Sequence, residues 1–512
     1  MLDRRSFLAA AAGLAAHLSL PERVAADPYA PLVSPRRGAP VRIRGRVRSR
    51  GRGVGGVSVS DGLSVVATDR DGRFELPSST DRDFVWCSVP SGYRIPVNPA
   101  GTGRFHHALA PGRGGDMDAL FELERMEEGD ERHAMLLLPD VQTQDRWEME
   151  RFHEQTVPDV VETVRGLGGR HAFGIACGDI MFDDLTLYPE YERGVHRMGI
   201  PFFQVVGNHD LDQEARTDEA STATFSRHFG PRYYSFDRGA VHYVVLDDVL
   251  WHGAGYIGYL ERDQLAWLEA DLARVEAGRP VIVALHIPVL GTAHVRGFTP
   301  RPGVSNSVNN REALVRLLEP YQAHVVSGHT HENDHNWILG LHEHVSGTVC
   351  GAWWSGPICG DGTPNGYSVY EVDGEEVRWR HKGTGLPADH QLRAYLPGAD
   401  PRSPDELVAN VWDADEGWTV VWYEDGERRG RMARRVGHDP VSSRIHAGEE
   451  LPPRRTWVEP YARWLYYAPV SPGAREVRVE TTDRFGRVYS AVAGPVPEHM
   501  KAWEPDPGVP GR

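Results

Sequence analysis

Lysine is almost missing from this chain: Lys382 and Lys501 are the only two, so arginine supplies nearly all of the 56 basic residues. Acidic residues number 72, and the formal net charge is -16. A surface this acidic has no electrostatic hold on nucleic acid or on an anionic membrane, and no nucleic-acid partner is expected. Cysteine is scarce too, with four in 512 residues. Cys87, Cys177, Cys350 and Cys359 fit no four-cysteine zinc pattern. Cys177 lies inside an apolar run and reads as a buried thiol. Cys350 and Cys359 flank "GAWWSGPI" and stand where a disulfide can form in an oxidising compartment. Long apolar runs are lacking beyond the first 26 residues, so the mature chain is expected to have no transmembrane segment. No internal repeat and no low-complexity tract stands out.

What is present starts with "MLDRRSFLAAAAGLAAHLSLPERVAADP". Arg4 and Arg5 precede a weakly apolar stretch, Phe7 to Leu20, which ends in the small residues Val24, Ala25 and Ala26. This pattern predicts a twin-arginine-type signal peptide over residues 1–26 and a protein exported to the periplasm, envelope or exterior. Residues 27–40 are a Pro- and Arg-rich linker. Over 41–128 short β-prone runs ("VRIRGRV", "FVWCSVP") alternate with Gly and Asp turns, which predicts a small β-sandwich. Over 129–388 apolar runs alternate with amphipathic helical stretches, the rhythm of a layered α/β domain. A β rhythm returns over 389–512 and predicts a second β-sandwich. The expected architecture is an α/β sandwich core flanked by two small all-β domains.

Within the α/β part, five strand-like runs end in polar residues. "MLLLPDVQ" ends in Asp140 and Gln142, and "FGIACGD" in Asp179. "FFQVVGNHD" ends in Asn208, His209 and Asp210, "VIVALH" in His286, and "AHVVSGHTH" in His329 and His331. Strand ends of an α/β sheet lie along one edge, where ligands bind, so these side chains should converge. Carboxylates, an amide and imidazoles together suit a pair of divalent ions.

In this order the motifs resemble those of the calcineurin-like metallophosphoesterase family. Its blocks are Asp-x-His, Gly-Asp-x-x-Asp, Gly-Asn-His-Asp/Glu, a single His, and Gly-His-x-His. The chain has "DVQ" at 140–142, "GDIMFD" at 178–183, "GNHD" at 207–210, "LH" at 285–286 and "GHTH" at 328–331. The second block carries one extra residue before its final Asp. The likeness covers about residues 133–385. It implies a metallophosphoesterase-type layered core and two bound divalent ions. By position, Asp140, Gln142 and His331 hold the first ion, Asp179 bridges both, and Asn208, His286 and His329 hold the second. His209 faces the substrate phosphate as the catalytic group, with Asp210 orienting it. Gln142 stands where most relatives have His. An amide oxygen is a harder donor than imidazole, which favours manganese, with iron, zinc or magnesium as alternatives.

Two ions roughly 3.5–4 Å apart would activate a bridging water as nucleophile, in line with phosphorus. The expected activity is therefore secreted hydrolysis of a phosphate ester, either a phosphodiester or a phosphorylated envelope component. The alternatives are a phosphomonoesterase or nucleotidase, and a non-catalytic envelope- or carbohydrate-binding protein with a vestigial metal centre. Segments 184–200, 212–230, 291–310 and 351–366 are expected to line the pocket. His335, His342 and His344 match no block and read as loop or rim residues.

Overall fold

The computed structural model describes residues 38–109, 117–295, 301–447, 458 and 460–503. The expected signal peptide and most of the linker lie outside the described residues. No helix among the described residues is long and apolar enough to cross a membrane.

Two sheets stacked face to face form the centre. The first contains β1 (Arg132–Leu138), β2 (His171–Cys177) and β3 (Phe202–Val205), all parallel, in the order β3-β2-β1. The second contains, in chain order, β4 (Tyr234–Arg238), β5 (Val241–Val245), β6 (Pro280–Ala284), β7 (Gln322–Ser327), β8 (Asp334–Ile338) and β9 (Leu341–Val345). Its spatial order is β4-β5-β6-β7-β9-β8, with β5, β6, β7 and β9 parallel. The hairpin β10 (Gly366–Asp373) and β11 (Glu376–Gly383) then returns to the first sheet, where β10 lies antiparallel beside β1.

Side-chain alternation explains the layering. In β1, Met135 and Leu137 join the core between the sheets, whereas Ala134, Leu136 and Leu138 face outward onto helices. Those helices are α1 (Val157–Gly166) and α2 (Tyr188–Met198). α2 has Pro189 in its first turn and ends at Gly199, whose φ of 73° is left-handed, a common pairing of start and stop. Tyr191, Val195 and Met198 recur on its buried face. On the far side, α3 (Arg262–Leu272) and α4 (Arg311–Leu318) cover the second sheet through Trp267, Leu268, Leu314 and Leu318.

Each flanking β part is a pair of four-stranded sheets. The N-terminal pair is built around Pro40–Ser49 and Phe84–Cys87. The C-terminal pair is built around Glu406–Val411 and Val477–Thr482. Trp86 packs edge-on against Trp267 of α3, and Arg463 donates to Asp334 of β8 at 2.8 Å, so both flanks are tied to the core. No bridge joins Cys350 and Cys359; all four cysteines are free and buried. Both sulfurs are 3.8 Å from the Thr348 hydroxyl.

Candidate metal centre

The C-terminal ends of β1, β2, β3, β6 and β7 meet at one edge of the two sheets. Each strand hands over to a tight turn there, and the turns are held in rarely populated backbone. Asp140 (φ 49°), Gln142 (φ 44°), Asp179 (φ 46°), Asp183 (φ 68°), His329 (φ 69°) and His331 (φ 55°) all adopt left-handed conformations. Such conformations cost non-glycine residues on the order of 1–3 kcal/mol each and persist where the surroundings impose them. Glycine keeps the turns close: a Cβ on Gly328 would come within 2.2 Å of an Asp140 carboxylate oxygen.

Three imidazoles enter this edge, and each spends its outer ring nitrogen on a backbone carbonyl. His286 donates Nδ1–H to Cys177 O at 3.0 Å, His329 donates Nε2–H to Ser305 O at 3.1 Å, and His331 donates Nδ1–H to Gly351 O. These bonds fix the tautomers and leave the inner nitrogens as lone pairs, the arrangement metal-ligating histidines adopt. The inner atoms converge. His286 Nε2 is 3.2 Å from Asp179 Oδ1, from Asn208 Oδ1 and from His329 Nδ1. His331 Nε2 is 3.5 Å from Asp140 Oδ1. Asp179, His286 and His329 are placed to share one ion.

Lone pairs facing buried carboxylates repel unless positive charge lies among them. The electrostatics of the buried groups point the same way. Burial lowers the His286 pKa, but the Asp179 charge and hydrogen bond outweigh it and raise it to about 10. His329, its neighbour, is pushed down to about 3 by burial and by the His286 charge. With two carboxylates, three imidazoles and an amide oxygen, the residues fit divalent cations.

Gln142 is close, but it turns its amide nitrogen inward, donating to Asp179 Oδ2 at 3.0 Å, while its oxygen faces the Cys350 thiol at 3.5 Å. His209 lies at the rim with its side chain 24% exposed, stacked on Phe182 at 4.2 Å. Asp210 does not orient it. The buried Asp210 carboxylate instead accepts from the backbone N–H groups of Ile180, Met181 and Gly207 and from the Tyr188 hydroxyl. Adjacent residues of a tight turn face different ways, and Asp210 faces inward. The carboxylate on His209 Nδ1 is Asp183 Oδ1, at 2.8 Å. Asp183 closes the "GDIMFD" motif, so its signal was in the sequence. Burial pulls the His209 pKa down, and the Asp179 charge with the Asp183 hydrogen bond more than offsets this, leaving it raised.

Three family models match the chain: the calcineurin-like phosphoesterase over residues 136–333, and the N-terminal and C-terminal parts of calcineurin-like phosphoesterase over 41–126 and 343–489. The chain belongs to the calcineurin-like phosphoesterase family. It is 28% identical over 200 residues to the serine/threonine-protein phosphatase CPPED1 of Bos taurus, covering 37% of this chain and 61% of that protein. It is 32% identical over 146 residues to purple acid phosphatase 15 of Arabidopsis thaliana, covering 26% of this chain and 24% of that one. The chain thus spans between about a quarter and three fifths of these relatives' lengths. A dimetal phosphatase from Danio rerio aligns in structure with a TM-score of 0.34 and 14% identity, over 49% of this chain and 96% of that one.

Further residues shape this centre without standing in a motif. Asp248 accepts from the His286 and Ile287 backbone N–H groups at 3.1 and 3.2 Å and so holds the single-histidine turn in place. Its signal was the Asp pair ending "VHYVVLDD". Trp353 stacks on His331 at 4.4 Å, and Asn306 Oδ1 is 3.2 Å from His329 Nε2. Both come from segments expected to line the pocket. Segment 184–200 differs: most of it is α2, packed on the outer face of the first sheet.

Proposed function

We propose that this chain is an exported, binuclear-metal phosphoric ester hydrolase acting on a phosphodiester or a phosphorylated envelope component. One observation carries the reading. Three tautomer-fixed imidazoles and the Asp140 and Asp179 carboxylates aim their lone pairs into one space, with a partly exposed histidine on its rim.

Asp140, Gln142 and His331 would hold one ion, Asn208, His286 and His329 the other, and Asp179 both. Two bound ions would supply Lewis acidity towards the phosphoryl oxygens and a water nucleophile at neutral pH. The chain's own groups do the rest. His209, protonated and held through Nδ1 by Asp183, presents Nε2–H to the phosphate, stabilises charge as it develops and gives its proton to the leaving oxygen as the P–O bond breaks, in line with the attacking water. Phe182 and Asp183 fix the ring plane, so the proton is delivered in one direction. No covalent phosphoenzyme is required. Gln142 serves as a ligand only after its amide turns over, which exchanges a donor to Asp179 for an oxygen facing the ion.

Manganese is the expected ion. The Arg4–Arg5 pair and the stretch after it support export, and replacing both with Lys should retain the precursor in the cytoplasm. The second reading, a phosphomonoesterase, is favoured by the names of the similar proteins, both phosphatases. The deciding assay compares bis-p-nitrophenyl phosphate with p-nitrophenyl phosphate under manganese, magnesium, zinc or iron, with metal content measured in parallel. Faster turnover of the diester supports the first reading and faster turnover of the monoester the second. No turnover with either, despite two bound ions, would sink both.

A further inference from the structure

A second group of histidines lies well inside the fold. His324 is on β7, His342 and His344 on β9, and His335 on β8. Register puts them on one face: His324 pairs with His342 across β7–β9, and His335 pairs with His344 across β8–β9. Residues 342 and 344 are two apart on a strand, so both side chains point the same way. That face is the inner one. Trp379 of β11 meets the His344 ring edge-on at 4.5 Å, and Tyr370 of β10 lies 5.6 Å from it. Far from forming a rim, His335, His342 and His344 are buried.

These rings occupy a place where a sheet sandwich normally carries aliphatic side chains. His324 Nδ1 is 3.0 Å from His344 Nε2, and His335 Nδ1 is 3.1 Å from His342 Nε2. One nitrogen from each of His324, His342 and His344 falls within 4.8 Å of the others. With zinc–nitrogen bonds of about 2.0–2.1 Å, the nitrogens of a tetrahedral site stand roughly 3.4 Å apart. The His286–His329 pair of the phosphoesterase centre has a similar spacing, 3.2 Å. His342 Nδ1 and His344 Nδ1 are buried without a hydrogen-bond partner among the described residues, a condition that calls for an ion or a water.

His335 completes the pattern. Its Nε2 donates to Asp413 Oδ1 at 2.9 Å, which leaves Nδ1 as a lone pair turned towards His342. A carboxylate behind an imidazole is a recurring support for a metal-bound histidine. Asp413 comes from the C-terminal β domain and is held at φ 59°. The nearest cation, Arg484, is paired with Asp415 at 2.6 Å and lies over the Trp337 and Trp379 rings. An approach exists at the sheet edge. Trp337, stacked on His342 at 4.1 Å, is 52% exposed, and His324 is partly exposed.

We propose that His324, His342 and His344, with His335 as the fourth imidazole, bind one further transition-metal ion of zinc type, separate from the phosphoesterase centre. An all-imidazole set selects zinc, copper, nickel or cobalt over manganese and magnesium, which prefer oxygen. Such an ion would fasten β7, β8 and β9 to one another and, through Asp413, to the C-terminal domain. Its role is structural, and no step of ester hydrolysis passes through it.

The test uses the full chain, stripped with chelator and reloaded with zinc alone or cobalt alone. Wild type should hold one ion more than His342→Phe/His344→Phe, with esterase activity under manganese kept within about twofold. A variant disabled at the other centre, Asp140→Ala/His286→Ala, should still bind one cobalt with tetrahedral visible absorption. That outcome supports the site even if the phosphoesterase centre itself holds no ions. Equal metal content in wild type and His342→Phe/His344→Phe would overturn the proposal. If that variant does not fold, anomalous diffraction from zinc-loaded wild-type crystals decides: a peak among the four imidazoles upholds the site, and its absence refutes it.

Discussion

Two places in this molecule gather imidazoles, and they differ in almost everything else. At the edge of the sheets, His286, His329 and His331 sit in turns of left-handed backbone beside Asp140 and Asp179. On the inner face of the second sheet, His324, His335, His342 and His344 sit on regular strands with one carboxylate, Asp413, among them. Neighbouring charge sets the outcome. His286 rises to about 10 against Asp179, while burial and the positive charge of Arg484 press His324 down to about 4. The edge is therefore a site that attracts cations and the inner face one that offers neutral nitrogen. Spacing alone does not tell the two apart.

The sharpest way to break this contrast is to remove the edge's charge. Asp179→Asn should lose most bound metal and more than about 10⁴-fold in turnover, the scale seen when a group acting within a unit is removed. An amide cannot balance two dications. Circular dichroism should remain native; two retained ions with near-normal turnover would contradict the bridging role.

Next in size is the rim. His209→Ala should keep its metal and lose on the order of 10²–10⁴ in kcat, the usual share of a positioned acid. Its two neighbouring carboxylates should then separate cleanly. Asp183→Asn should lower kcat by about tenfold and shift its pH profile without changing Tm, since positioning groups act through the ring they hold. Asp210→Ala should instead destabilise the fold by roughly 1–3 kcal/mol, because three backbone N–H groups lose their acceptor. Equal kcat losses with unchanged Tm for both would show that Asp210 positions the ring after all.

A subtler change tests donor hardness. Gln142→His should move the best reactivating ion from manganese towards zinc or iron and retain the fold. Identical metal profiles for wild type, Gln142→His and Gln142→Ala would place Gln142 outside the ion's ligands.

The smallest effect concerns a third kind of histidine, one gripped on both sides. His242 Nδ1 is 2.9 Å from Asp237 and Nε2 is 3.0 Å from Asp271, and although burial opposes it, these partners raise its pKa to about 10. The folded value lies above the unfolded one of about 6.5, so the stabilisation is complete below that pH and fades as pH rises through about 10. The gap in unfolding free energy between wild type and His242→Gln should be widest near pH 6 and shrink by pH 10. A constant gap in urea titrations would argue against a charged His242.

The strand-end residues were legible because apolar runs of five to seven residues that stop at a polar turn place that turn on the sheet edge. Asp140, Asp179, Asn208, His286, His329 and His331 do meet there. The partner of His209 was misjudged because sequence adjacency says nothing of direction within a turn; Asp210 points into the core and Asp183, a turn away, points out. Imidazole counts as polar in any hydropathy reading, so His335, His342 and His344 read as rim residues although they are buried. The period of two in "LHEHV" puts His342 and His344 on one face, and both rings meet Trp379 across the sheets. Residues 366–383 form a hairpin with a short turn at Gly374. That it inserts beside β1 was not legible, since long-range pairing leaves no local trace.

That insertion has a consequence for how the protein is made. β1 leaves the ribosome carrying "AMLLL" on an open edge, and its neighbour β10 begins more than two hundred residues later. At ~5–20 residues per second, the edge stays unpaired for tens of seconds, long enough for another chain to add to it. Both histidine groups are completed by β7, β9 and the turns after β7, which emerge late in that wait and before β10. Neither group is complete until β7 and the turn after it have been made, and the half-sheet stays open to other chains until β10 follows.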